Sequence, residues 1–300
     1  MIKLNGLHLL QSYQCTFECD HCFAWGSPWQ TGTMTISTIR QILDQAKAAG
    51  SVEWIYFEGG EPFLYYQTML SGINLAFEQG FEVGVVTNSY WATSFEDALL
   101  FLTPLKGKIQ DLTISSDLFH FSEKASIQSR YVTEAAKLLD IPLGIICIEQ
   151  PDIDAVSAIG QIPPESSSIM FRGRAAEKLA PKVPNYPANN FTSCPHENLA
   201  DPGRVHVDPF GNLHICQGIS LGNLFSSDLN TICDQFDPTT HPIIAPLLEG
   251  GPYKLSQING ELTQGQYADA CHLCYETRKA LRSQYPDILT PNQMYGAYNI

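Results

Sequence analysis

Three cysteines within eight residues, Cys15, Cys19 and Cys22 in the run from Gln14 to Phe23, have the type and spacing to hold a metal. A cubane iron–sulfur cluster takes four thiolates, so three leave one iron without a protein ligand and open to a substrate. Zinc is the alternative, but it needs a fourth ligand close by, and His21 is crowded between Cys19 and Cys22. A disulfide with a spare thiol is the third reading. Further along, Cys194, Cys216, Cys271 and Cys274 can close a four-thiolate site, which suits an iron–sulfur cluster or a zinc ribbon alike. Cys147, in an apolar run, and Cys233, in a helical pattern, read as inert core thiols. His21, His206, His214 and His272 read as packing or hydrogen-bonding groups and receive no metal role.

The elements that must position these groups alternate between short β-rich apolar runs and longer stretches of helical period. Strands are expected at Leu7–Leu10, Trp54–Phe57, Val83–Thr87, Leu112–Ser115, Leu143–Ile148 and Ser168–Phe171. Helices are expected at Thr35–Ala49, Gln67–Gln79, Ser94–Leu102 and Lys124–Leu139, with a short one after Asp152. Such alternation predicts a parallel sheet with sites at the C-terminal ends of its strands. The fold class is α/β: about six strand–helix repeats over residues 1–175, a Pro/Asn-rich connection at 176–193, and a small C-terminal domain at 194–300. In that last part, Arg204 to Cys216 alternates on both sides of Pro209-Phe-Gly-Asn212, which predicts a β-hairpin with His214 and Cys216 on one face.

Composition narrows the function classes. The 300 residues are 44% hydrophobic, enough for a sizeable core, and no run of ~18 apolar residues predicts a membrane span. The start, Met1 to Gly6, lacks the features of an export signal, so a cytoplasmic location is expected and the nine cysteines read as ligands rather than disulfides. A net charge of −14 without a Lys/Arg-rich run argues against nucleic acid as a partner.

Further motifs follow the predicted strands. Gly59-Gly-Glu-Pro62 combines two residues that let a ligand approach the backbone, an acceptor and a stiff turn. Thr87 and Asn88 follow the third strand. Ser115 and Asp117 follow the fourth, with Arg130 on the next helix and a helix N-cap as the competing role of Asp117. With Cys-x3-Cys-x2-Cys some forty residues before Gly-Gly-Glu-Pro, the chain resembles the radical S-adenosylmethionine (SAM) superfamily.

The resemblance implies a partial (β/α)6 TIM-like barrel and a [4Fe–4S] cluster on Cys15, Cys19 and Cys22, with SAM at the fourth iron. It places Gly59, Gly60, Glu61 and Pro62 at the methionine amino group, Asn88 in an element whose usual glycine is here Ser89, and Ser115, Asp117 and Arg130 at the ribose and carboxylate. Phe23 and the strand around Phe171 enclose the adenine. Gly211-x4-Cys216, with Cys194, Cys271 and Cys274, resembles the shorter "twitch" form of the SPASM domains. That implies a β-hairpin plus helix iron–sulfur domain with one auxiliary [4Fe–4S] cluster in electron transfer. The expected activity is reductive cleavage of SAM to a 5′-deoxyadenosyl radical, then oxidation or other functionalisation of a C–H bond in a small molecule or peptide. Flavodoxin or ferredoxin is the expected electron donor. Arg172 and Arg174 are the candidate substrate-facing catalytic groups. A peptide maturase is one alternative, and a zinc-stabilised scaffold that catalyses nothing is the alternative of another class.

Overall fold

A computed structural model describes residues 2–122, 126–148 and 168–297. Five parallel strands form its N-terminal half: β1 (Gly6–Ser12), β2 (Trp54–Gly59), β3 (Glu82–Thr87), β4 (Asp111–Ser115) and β5 (Leu143–Ile146). Between them run α1 (Ile36–Ala49), α2 (Tyr66–Glu78), α3 (Phe95–Leu102) and α4 (Ile127–Leu138). The helices begin where short polar side chains satisfy free backbone donors. Thr35 and Thr38 form a reciprocal capping box on α1, Ser94 caps α3 and Ser126 caps α4. Gly50, in the left-handed region at φ 70°, ends α1.

The period-2 alternation of the strands divides the sheet into two unlike faces. Leu7 and Leu9 of β1, Ile55 and Phe57 of β2, and Val83 and Val85 of β3 pack against Ile39, Ile42 and Leu43 of α1 and Met69, Ile73 and Ala76 of α2. On the opposite face the same strands carry His8, Tyr56 and Glu58, and there the functional groups gather.

Three more strands extend the sheet beyond β1: β7 (Arg204–Val207), β8 (Asn212–Cys216) and β9 (Ile219–Asn223), giving the order β5-β4-β3-β2-β1-β7-β8-β9. β7 lies parallel to β1, with Gly6 opposite Arg204 and His8 opposite His206. The hairpin expected around Gly211 is β7 and β8, antiparallel with His206 opposite His214. Buried Asp208 closes its turn by accepting from the backbone N–H of Phe210 and Asn212 and lying 3.1 Å from His214 Nε2. Beyond β5 the described residues add the short helix α5 (Arg174–Lys178), then α6 (Leu229–Gln235), α7 (Ile244–Ser256) and α8 (Ala270–Leu281). The Pro/Asn-rich connection holds two 3-10 turns and the two-residue strand β6 (Tyr186–Pro187), which pairs with β10 (Gln266–Tyr267).

One expected strand is corrected. Ser168–Phe171 forms no strand, and the sixth parallel strand among the described residues is β7, on the other side of the sheet. The backbone explains this. Phe171 N–H donates to Asp269, the residue that caps α8, and Arg172 N–H to Met170 C=O, so the segment is drawn toward the C-terminal helix instead of a ladder. The start of the expected helix at Lys124 and the short helix after Asp152 lie outside the described residues. Among the described residues no helix is long and apolar enough to cross a membrane.

At Gly72, α2 approaches the sheet closely. A Cβ there would stand 2.6 Å from the ring of fully buried Phe57. Helix propensity favours Ala over Gly by only ~1 kcal/mol, whereas overpacking a closed core costs ~1–3 kcal/mol. Gly72→Ala is therefore expected to lower stability by ~1–2 kcal/mol in urea unfolding; a gain would show that α2 can move off β2.

Candidate functional site

At the C-terminal ends of β1–β5 lies a cavity of about 310 Å³, and Cys15, Cys19 and Cys22 all line it. The loop carrying them is held to the neighbouring strand end by its backbone. Gly60 N–H donates to Ser12 C=O at 2.7 Å and Glu61 N–H to Gln14 C=O at 2.8 Å. A Cβ on Gly60 would lie 1.9 Å from Gln14 O, so only glycine permits this approach. Gly59 and Gly60 consequently face the cavity beside the thiols.

Glu61 takes a different place from the one its motif suggests. It is fully buried and does not line the cavity. Its carboxylate accepts from Phe63 N–H at 3.0 Å, from the Thr87 hydroxyl at 2.7 Å and from Asn88 N–H at 2.8 Å. Burial pushes the carboxyl up to about 7 against these three donors. Pro62 is likewise buried, opening a 3-10 turn.

Asn88 does reach the site. Its side-chain amide donates to Cys15 Sγ at 3.5 Å and to Thr16 at 3.1 Å. Ser89, where the resemblance expects glycine, sits at φ 64°, so the left-handed turn is kept without the residue that favours it. Ser115 and Phe23 line the cavity. Asp117 does not: fully buried, it accepts from Phe119 N–H and Ile148 N–H and pairs with His120 at 2.7 Å. It therefore fastens a turn to the end of β5 and caps no α-helix. Arg130 is exposed on α4 and is not among the lining residues, and neither is Phe171.

The donor set fits a thiolate-bound cluster. Gly26 N–H points at Cys22 Sγ at 3.2 Å and Phe17 N–H at Cys15 Sγ at 3.5 Å, as acceptor sulfurs require. Without a cation, burial, with Glu61 adding to it, raises the Cys15 thiol to about 12, and burial raises Cys19 further. A bound metal would supply the positive charge that holds these sulfurs as thiolates.

In the second cysteine set burial raises Cys194, Cys271 and Cys274, and the neighbouring Cys216 thiol adds to the shift of each. Two buried guanidiniums offset that charge, Arg172 beside Cys216 and Cys271, and Arg278 beside Cys274.

The two candidate catalytic arginines part company. Arg172 lines the cavity, stacks over Phe23 with 5.6 Å to the ring centroid, and donates to Glu197 at 3.2 Å and to Cys216 Sγ at 3.4 Å. It thus links the cavity to the second thiol set. Arg174, expected to face substrate, is not among the residues that line the cavity. Buried over Trp25, it donates to the carbonyls of Cys19 and Gly26, both at 2.8 Å, and so braces the three-thiol loop. Sequence reasoning passed over Phe17, His21, His120 and Glu58 as lining groups. A strand-end position was the only available signal for them, and it marks too many residues.

Because Glu61 satisfies three buried donors, Glu61→Ala is expected to cost ~3 kcal/mol or more, from ~1–3 kcal/mol per stranded group. Chemical denaturation measures it. Unchanged stability would mean that the carboxylate serves only a ligand.

Comparison with known proteins agrees with this geometry. The family model described as the radical SAM superfamily matches residues 10–130. An S-adenosylmethionine-dependent nucleotide dehydratase of Selenomonas ruminantium is 35% identical over 86 residues, 29% of each chain. A putative peptide biosynthesis protein, YydG, of Bacillus subtilis (strain 168) is 25% identical over 135 residues, 44% of this chain and 42% of its own. The matched stretches thus span less than half of these relatives. The crystal structure of BtrN in complex with AdoMet and 2-DOIA superposes with a TM-score of 0.55 at 19% identity, over 83% of this chain and 89% of that one, which shows a shared α/β fold. Residues 10–130, the stretch that matches the radical SAM superfamily model, contain both the three-thiol loop and the Gly-Gly turn that line the cavity.

Proposed function

We propose that the protein is a radical SAM enzyme that reductively cleaves SAM and oxidises or otherwise functionalises a C–H bond of a small molecule or peptide. The observation that carries this reading is the cavity that three thiols line together with Gly59, Gly60 and Asn88, since a cubane held by three thiolates would leave one iron to an outside ligand. A [4Fe–4S] cluster held by Cys15, Cys19 and Cys22 would supply the electron that cleaves SAM to methionine and a 5′-deoxyadenosyl radical able to take hydrogen from substrate.

The chain's own residues bind, orient and exclude water. Gly59 and Gly60 leave room for the methionine moiety, Asn88 and Ser115 present polar groups to the cavity, and Phe23 offers a ring face. Phe17 packs edge-on against His120 and Phe121, walling one side of the cavity from solvent. Cys194, Cys216, Cys271 and Cys274 are proposed to hold an auxiliary [4Fe–4S] cluster in electron transfer, since four thiolates leave no open iron. On this reading residues 1–175 form the catalytic part and 194–300 the auxiliary domain. Arg172, touching both the cavity and Cys216, is the substrate-facing candidate that remains.

A peptide substrate is the second reading, favoured by the match to a peptide biosynthesis protein. The dehydratase match covers too little of either chain to carry a nucleotide substrate. A flavodoxin or ferredoxin is the proposed reductant, and the cytoplasm the proposed location.

Anaerobic reconstitution with iron and sulfide is expected to give brown protein with about eight iron atoms per chain, about four for each cubane. Replacing Cys15, Cys19 and Cys22 by Ala should remove about half the iron and abolish dithionite-driven release of 5′-deoxyadenosine. Colourless protein holding only zinc, or cleavage undiminished in the triple variant, would overturn the proposal.

A further inference from the structure

His8, Glu58 and His206 come from three adjacent parallel strands, β1, β2 and β7, and project from the sheet face opposite the helix-packed core. Register puts His8 opposite His206, while Glu58 lies opposite Leu10, one pleat further toward the strand ends. His8 Nδ1 stands 3.3 Å and His206 Nε2 2.9 Å from the same carboxylate oxygen, Glu58 Oε1. All three ligand atoms lie within 4.8 Å of one another.

Proximity alone would fit an ordinary hydrogen-bonded network. The directions do not fit one. Glu58 Oε1 is sealed from solvent and, among the described residues, has no donor aligned on it, although two ring nitrogens are within bonding range. Buried acceptors are rarely left so. Three ligand atoms this close together, with no donor aligned on the shared oxygen, leave room for one ion among them. Metal–ligand bonds of ~2.0–2.2 Å subtend ligand–ligand edges of roughly 2.9–3.4 Å, the range in which both observed separations fall.

We infer that His8, Glu58 and His206 form a mononuclear divalent transition-metal site in the floor of the cavity, distinct from both cysteine sets. Two imidazoles and one carboxylate on one face select a transition ion such as Zn²⁺, Fe²⁺ or Mn²⁺ over Mg²⁺ or Ca²⁺, and leave coordination positions open. Glu58 lines the cavity, so those positions face it, where a hydroxyl, carboxylate or phosphate oxygen of a substrate can complete the shell. The imidazoles are held in place: His8 stacks on Tyr56 with ring centroids 4.5 Å apart, and His206 rests against Phe23 at 5.6 Å. The site stands on its own geometry and needs no particular radical reaction.

Manganese is the suitable probe because thiolates hold it poorly, which separates this site from the cysteines. Titration of the cluster-reconstituted full chain with Mn²⁺, followed by electron paramagnetic resonance, should show one bound ion per chain. Pulsed spectra of wild-type protein should show nitrogen couplings from two imidazoles. Glu58→Gln and His206→Ala should each weaken binding at least ~10-fold while iron content, the check on folding, stays constant. Absence of stoichiometric Mn²⁺ binding, absence of imidazole couplings in the wild type, or undiminished binding by both variants overturns the inference.

Discussion

The site depends on one buried carboxylate. Glu61 ties the turn after β2 to Thr87 and Asn88 at the end of β3, and Asn88 in turn reaches Cys15 and Thr16 after β1. Three strand ends thereby acquire a common reference point. Removing a carboxylate from water is costly, and here burial raises its proton affinity; three directed donors offset that cost. The glycines beside it complete the arrangement, since any side chain at Gly60 would push the turn off the cysteine loop.

A second constraint joins the two groups of thiols. The residues from Phe171 to Arg174 have no ladder partner, and their groups instead reach outward in both directions. Phe171 N–H bonds the cap of α8, Arg172 touches Cys216, and Arg174 holds the carbonyls of Cys19 and Gly26. Two arginines two residues apart therefore do different work. One is anchored wholly by backbone oxygens and sets the shape of the first loop, while the other stands between the cavity and the second thiol set.

The sheet contributes through its asymmetry. Helices α1 and α2 cover its apolar face, which frees the other face to carry ionisable groups at little cost to the core. Addition of β7 beside β1 then brings His206 to His8 and Glu58, a meeting of residues some 50 and 150 positions apart in the chain.

Local signals made much of this legible in advance. Helical and strand periods located all the helices and strands expected within the described residues of the N-terminal half except Ser168–Phe171, and the hairpin at Gly211 was clear from its alternation and turn. Cysteine spacing and the Gly-Gly turn point to the cavity from the sequence alone, because cluster ligation and close backbone approach each demand particular residue types at short separation. The inward or outward aim of a polar side chain was not legible. Glu61, Asp117 and Arg174 satisfy backbone groups distant in the chain, and nothing in their neighbours distinguishes that duty from a ligand's. Only the tertiary structure decided those roles, along with the pairing of β7 to β1, because long-range hydrogen bonds and strand order arise from how the layers pack. The sequence by itself determined which residues could do chemistry; packing determined which of them face the cavity.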